Sequence, residues 1–204
     1  MGNLAAQSKA IIWRLTMVLL STMICTGASY AHEQVKVVVV PLAGDDLRTV
    51  YEIGKTGPAG GIVFHVTDGG RHGLEAAPVN QSEGVLWCSS FTDIATIQNL
   101  DTIETVDPNT AAIIDVCGES TAAGVASGYE GPNGITTGWY LPNKEELNLL
   151  YLQKVIVGGF ASDNYWSSSE FDSNFAWIQF FVNGFQSVGW KGSHGIKVRA
   201  VRAL

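Results

Sequence analysis

Positive charge is scarce in this chain. Lys and Arg together number 12 against 19 Asp and Glu, a net charge of −7 over 204 residues. Such a chain lacks the cations needed to neutralise a phosphate backbone, which excludes nucleic acid as a partner. It also argues against a broad surface for anionic polysaccharide, leaving only a local basic patch for that purpose. Cysteine is scarce too, with three in all. None of them has a second Cys or a His close by at metal-ligand spacing, so neither a metal centre nor a bound cofactor is expected. Long apolar runs are missing. Leu15 to Met23 is the candidate, and it falls short of the roughly 20 residues a membrane-spanning helix needs.

That short run has another use. Lys9 and Arg14 precede it, and Ser29-Tyr30-Ala31 follows with small residues where a signal peptidase reads. Residues 1–31 are therefore expected to be a signal peptide cleaved after Ala31, the alternative being a retained anchor. Cys25 follows Ile24 rather than a small residue, which argues against lipid attachment. The expected location is outside the cytoplasm: secreted, periplasmic or at the cell surface of a bacterium. Loss of Lys9 and Arg14 leaves the remaining chain two units more negative. It also leaves Cys88 and Cys117 as an even pair in an oxidising compartment, for which a disulfide is the simplest account. Closing that loop would stabilise the fold by roughly 3–4 kcal/mol.

Residues 32–50 read as a junction. Val35 and Val37 to Val40 form a β-branched run closed by Pro41 and Gly44-Asp45-Asp46. A strand apolar on both faces must be covered, either by the domain's own sheet or by the same segment of another subunit. From Tyr51 to Leu204 no linker or low-complexity stretch appears, so one domain is expected. Its first loop, Lys55 to Gly61, is rich in glycine but lacks the Gly-Lys-Ser/Thr ending of a phosphate-binding loop and leads into a strand. Strands are predicted over Ile62–Val66 and Leu74–Val79 around Asp68-Gly69-Gly70. His65 and His72 flank that turn and read as surface imidazoles rather than metal ligands. Pro108 opens a helix capped by Asp107, with Ala111, Ile113, Ile114 and Cys117 facing the core. A short helix is predicted over Ser120–Ala126.

The clearest element follows. In Gly138–Glu170, Pro142 keeps Leu141 out of the α region, Asn143 caps, and Glu146 stands where a capping box requires it. Leu147, Leu150 and Tyr151 then make one apolar face, and Gly158-Gly159 ends the helix. Phe175 to Val182 reads as an aromatic strand, apolar on both faces and so covered on both. Asn183-Gly184 is a two-residue hairpin signal before the return strand Phe185–Trp190. The last strand, Ile196–Leu204, alternates, with Lys197 and Arg199 outward.

Four stretches, YEIGKTGPAGGIVFHVTDGGRHGLEAAP, GWYLPNKEELNLLY, YWSSSE and KVRAVRAL, together resemble one family over Tyr51–Leu204. It is the bacterial exported domain found at the C-terminus of a collagen-like adhesin. The resemblance implies an α+β fold similar to C-type lectins and to the formylglycine-generating enzyme domain: a twisted antiparallel sheet with two main helices and long loops. It implies a homo-oligomer as well, since the adhesin domain trimerises and binds sulfated glycosaminoglycans. This chain has no Gly-X-Y repeat and is acidic, two departures from that pattern.

C-type-lectin-like domains present ligand-contacting side chains from the region corresponding to Asn164–His194. Here that region offers Glu170, Asp172, Asn174, Gln179, Asn183, Gln186, Trp190, Lys191 and His194. Planar amides and carboxylates meet sugar hydroxyls and an aromatic face lies under the ring, which suits Asp172, Asn174 and Trp190. The competing account makes Trp166, Trp177 and Trp190 core residues. Glu170-x-Asp172-x-Asn174 lacks the glycine and distal glutamate of a calcium loop. Catalysis is not expected. No cysteine follows Cys117, Glu145 and Glu146 belong to a helix first turn, and His194 alone could serve Ser167–Ser169 as a base. The expected function is a non-catalytic, adhesive binding module for an extracellular glycan or protein, the alternative being a self-assembling surface protein. An exposed polar face at Gln179 and Gln186 would mark the first, and a broad apolar face the second.

Overall fold

The computed structural model describes residues 49–94 and 108–204. The expected signal peptide, the valine run and the Asp107 cap lie outside the described residues. Within them the protein is mixed α+β with two antiparallel sheets.

The first sheet has four strands. β1 (Ile62–Thr67) and β2 (His72–Ala76) form a hairpin around a 3-10 turn, Asp68–Gly70. Gly70 sits at φ +87°, and a Cβ there would lie 2.7 Å from the Tyr51 carbonyl, so the turn requires glycine. A register shift between Val63 and His65 bulges β1. β2 pairs β7 (Val201–Ala203), which pairs the two-residue β3 (Trp139–Tyr140), giving the order β1-β2-β7-β3.

The second sheet runs β4 (Asn164–Glu170), β5 (Phe175–Phe180), β6 (Gln186–Trp190). Helices α1 (Pro108–Cys117) and α2 (Ala122–Ser127) pack near β3 and β4, while α3 (Lys144–Leu152) and the short α4 (Lys154–Val157) pack on β1, β4 and β5.

Two apolar clusters carry the core. One gathers Trp87, Trp139, Leu141, Trp166, Ile178 and Val198, with Ile113 from α1 and small alanines of α2. The other gathers Phe64, Leu74, Leu147, Leu150, Tyr165 and Phe181. Phe181 is ringed by aromatics, with Tyr165 at 4.4 Å, Phe160 at 4.7 Å and Tyr151 at 5.6 Å between ring centroids.

The capping box at α3 is formed as the sequence requires. Asn143 Oδ1 accepts from the amides of Glu145 and Glu146, and Glu146 Oε2 accepts from the Asn143 amide. The remaining first-turn donor, the Lys144 amide, goes to Ser169 Oγ on β4, and Tyr140 donates its hydroxyl to Glu146 Oε1. The buried Ser167–Ser169 run thus serves as a seat for the helix.

Several expectations are corrected. The helix after Asn143 does not run to Gly158, because it breaks at Gln153 into α3 and α4. Ala111 is exposed, and Asn109 and Thr110 take the buried positions of α1 instead. β2 stops at Ala76. The hairpin turn is longer than Asn183-Gly184: Gln179 pairs with Gln186, and the Gly184 amide donates to the Phe180 carbonyl at 2.7 Å. Ile196–Ala200 is not a strand of the first sheet, making only isolated bridges to Tyr165 and Ser82 before β7 begins. Arg199 is fully buried, not outward. It donates to the carbonyls of Ala77, Gly158 and Gly159 and to Asn80 Oδ1, and its guanidinium lies 3.9 Å from the centre of the Phe160 ring. Burial pulls its pKa down to about 10. Lys197 is likewise nearly buried and paired with Glu83.

Candidate functional site

Alternation along β5 and β6 divides their side chains between two faces. Ala176, Ile178 and Gly189 turn toward the core, and Phe175, Trp177, Gln179, Gln186, Val188 and Trp190 share the outer face. That outer face is covered at one end only. Gln179 is fully buried, donating to Asn148 Oδ1 of α3 at 2.9 Å and to the Gly184 carbonyl at 3.1 Å. Gln186 donates to the Lys144 carbonyl at 3.1 Å. Lys144 then places its ammonium 4.3 Å from the centre of the Trp177 ring, at the border of the roofed end.

Beyond Trp177 the face opens. Phe175 pairs with Trp190 across the two strands, 36 % and 49 % exposed respectively. Phe91, 44 % exposed, lies nearly parallel to Trp190 with centroids 5.5 Å apart and planes 11° apart. Phe171, also exposed, stands edge-on to Trp177 at 5.5 Å. Strand β5 is therefore covered on both faces at its Gln179 end and open at its Phe175 end.

The polar rim comes from the β4–β5 turn. Asp172 Oδ1 accepts from the amides of Asn174 at 2.8 Å and Phe175 at 2.9 Å, closing the turn, and Asp172 itself is half-buried. Asn174 is exposed, and its side-chain amide donates to Ser173 Oγ at 3.0 Å. These two residues stand immediately before Phe175, so Asp172, Asn174, Phe175 and Trp190 belong to one end of the sheet.

The other residues singled out from the sequence are placed differently. Glu170 and Lys191 form a buried ion pair, with Lys191 fully enclosed. The Lys191 ammonium also donates to the Thr92 carbonyl and sits 4.9 Å from the centre of the Trp87 ring, and the Glu170 carboxylate accepts the Ile94 amide. Asn183 is exposed in the β5–β6 turn, its side chain accepting the Phe185 amide at 3.1 Å. His194 is exposed in the loop after β6. Of the three tryptophans, Trp166 is core, Trp177 is half-buried and only Trp190 is half in solvent.

The support for Phe91 is covalent. Cys88 and Cys117 form the expected disulfide, which fastens the start of the 88–94 loop to the end of α1. The Ile94 amide bonded to Glu170 fastens its other end. Phe91, Phe171 and Phe175 were not singled out from the sequence. The strand alternation that places Phe175 beside Trp190 was legible, whereas Phe91 arrives from a loop with no periodic signal.

The glycine-rich loop does hold an anion, and that anion is internal. The Ala59 and Gly61 amides donate to the buried Glu75 carboxylate at 3.2 and 3.0 Å, and Arg202 Nη1 reaches it at 3.0 Å. A Cβ at Gly57 would lie 2.4 Å from Glu75 Oε2, which accounts for that glycine. A separate cleft of about 500 Å³ is lined by Thr110, Ile114 and Asp115 of α1 with Trp139, Tyr140 and Arg202. It shares no residue with the aromatic face, and Thr110 and Arg202 are engaged with Leu141 and Glu75. Among the described residues no helix is long and apolar enough to cross a membrane, and no three His, Cys, Asp or Glu groups gather as metal ligands.

No family profile matches the chain, and no curated protein is recognisably similar to it.

Proposed function

We propose that this chain is an exported, non-catalytic binding module that holds an extracellular glycan on the open end of the β5–β6 face. The observation that carries this reading is the half-exposed Trp190, paired with Phe175 and backed by Phe91, beside the Asp172–Asn174 turn. Flat apolar rings receive the C–H face of a pyranose, and the adjacent carboxylate and amide accept and donate to its hydroxyls. The Gln179–Gln186 end takes no part, because both side-chain amides are bonded within the protein.

Export is supported by the leader pattern in residues 1–31 and by the disulfide. The kinship proposed is with the exported domain of the collagen-like adhesin and its C-type-lectin-like relatives. It is supported by the order of the four sequence stretches and by a mixed α+β fold with long loops. Among the described residues the open face offers no unpaired cation: Lys144 lies over Trp177 beside Glu145, and Lys191 is buried on Glu170. A neutral glycan suits it better than the sulfated chains of the adhesin. A non-catalytic role is supported by the Ser167–Ser169 run, which is buried and holds α3 in place.

The test is a glycan array followed by titration calorimetry with wild type and Trp190→Ala. Burying an indole face contributes about 1.5–3 kcal/mol, so the variant should bind at least about tenfold more weakly. Binding unchanged in Trp190→Ala would move the site elsewhere, and wild type that retains no glycan would end the reading.

A further inference from the structure

The residues after Trp190 form a tight turn. The Ser193 amide donates to the Trp190 carbonyl at 2.9 Å, which sets Lys191 and Gly192 at the two central positions. Gly192 lacks the left-handed φ that favours glycine, so the turn itself admits a side chain there. The space around it does not. A Cβ on Gly192 would stand 2.6 Å from Cη2 of Trp190 and 2.9 Å from Cζ2 and Cζ3. Carbon atoms in contact settle at about 3.5–4.0 Å, so one partner would have to move. All three carbons belong to the six-membered ring, and their near-equal distances put the Cβ over that ring rather than beyond its rim.

The turn cannot recede. The Lys191 amide donates to the Asn174 carbonyl at 2.9 Å, and the Lys191 carbonyl accepts the amides of Trp87 at 2.8 Å and Cys88 at 3.2 Å. The Lys191 ammonium is buried on Glu170 and the Thr92 carbonyl. The indole is what can yield, because it is half in solvent and its stacking partner, Phe91, is exposed as well.

We propose that Gly192 is a positioning residue of the glycan face: by carrying no side chain it lets the indole lie down over the turn and flat against Phe91. The proposal rests on the function given above for that face. Gly192 acts through Trp190, holding the ring in one orientation so that little freedom is left to lose on binding. Gly195 supplies a control in the same loop, since it also lacks a left-handed φ and a Cβ there meets nothing within 4 Å.

The test reads the Trp190 side chain directly. In proton–nitrogen correlation spectra each indole N–H gives one resonance, and Trp190→Phe identifies that of Trp190 by its loss. Gly192→Ala should shift this resonance and leave the thermal midpoint nearly unchanged, whereas Gly195→Ala should leave the resonance in place. Titrated with a cello-oligosaccharide, a neutral chain with flat C–H ring faces, Gly192→Ala should bind about three- to tenfold more weakly, the cost of ordering one freed side chain. Added to Trp190→Phe, whose ring stops short of the clash, it should weaken binding no further. If Gly192→Ala alone fails to fold, the double variant decides: folding restored by the shorter ring places the clash at the indole, and continued failure overturns the proposal. An unmoved Trp190 resonance in Gly192→Ala also overturns it. So does an equal loss of stability with and without Trp190→Phe, which would assign the glycine to the turn. Wild type that binds no cello-oligosaccharide counts against the proposed function, while the resonance, read without ligand, still decides the role of Gly192.

Discussion

Phe91 lies flat against Trp190, and the two rings belong to segments joined by no strand pairing: a loop held by a disulfide and the last residue of β6. Phe91 thereby fixes the plane in which the indole faces solvent. Phe91→Ala should lower glycan affinity several-fold by freeing the indole, with little change in thermal stability because both rings are substantially exposed. Calorimetric titration alongside thermal melting separates the two effects, and an equal loss in both would make Phe91 a structural residue only.

The Glu170–Lys191 pair should behave as structure. Lys191→Met leaves a buried carboxylate that, among the described residues, meets the Ile94 amide alone. Removing one member of a buried pair costs roughly 3–5 kcal/mol. Replacing both with apolar residues, Glu170→Leu with Lys191→Met, should recover most of that loss. Urea midpoints of the single and double variants check this.

Reduction of Cys88–Cys117 opens a connection of 29 residues and should lower stability by about 3–4 kcal/mol in the chain-entropy account. It should also weaken ligand binding, since the loop bearing Phe91 loses its covalent anchor and keeps the Thr92–Lys191 and Ile94–Glu170 bonds. Denaturant melts and titrations with and without reductant read both changes. Intact binding in the reduced protein would show that the Glu170–Ile94 and Lys191–Thr92 bonds suffice to hold the loop.

Acid should destabilise the fold through His65. Its Nε2 is buried without a partner, and burial lowers its affinity for a proton. As pH falls past about 6.5 the unfolded chain takes up a proton before the folded one does. Stability is therefore full above that range and is lost as pH falls through the lowered folded value. Thermal melts from pH 7.5 to 5 should show this decline in wild type and a smaller one in His65→Phe, and identical profiles would exclude His65 as the cause.

The stretches that carried the family resemblance prove to be contact sets. The glycine-rich loop, Glu75 and Arg202 meet around one buried carboxylate. The Leu-Pro-Asn-Lys-Glu-Glu turn and the Trp-Ser-Ser-Ser run meet at the start of α3. Arg199 of the closing stretch joins Asn80 to Gly158 and Gly159. None of these meetings was legible, because residues from 14 to 127 positions apart leave no local trace when they pair. Arg199 shows the failure most plainly. Simple alternation sent it outward, yet four acceptors and an aromatic ring make full burial stable.

What the sequence determined by itself is local. The Asn143 cap, the β1–β2 turn and the alternation along β5 follow from backbone preferences and side-chain period over a few residues. The disulfide followed from a count of two cysteines remaining after the expected leader. Tertiary structure alone decided which end of the β5–β6 face is roofed by α3, and that Phe91 backs Trp190. Those outcomes depend on which surfaces come together when the two sheets close over their cores. Burial is a property of the assembled surfaces, and no single segment carries it.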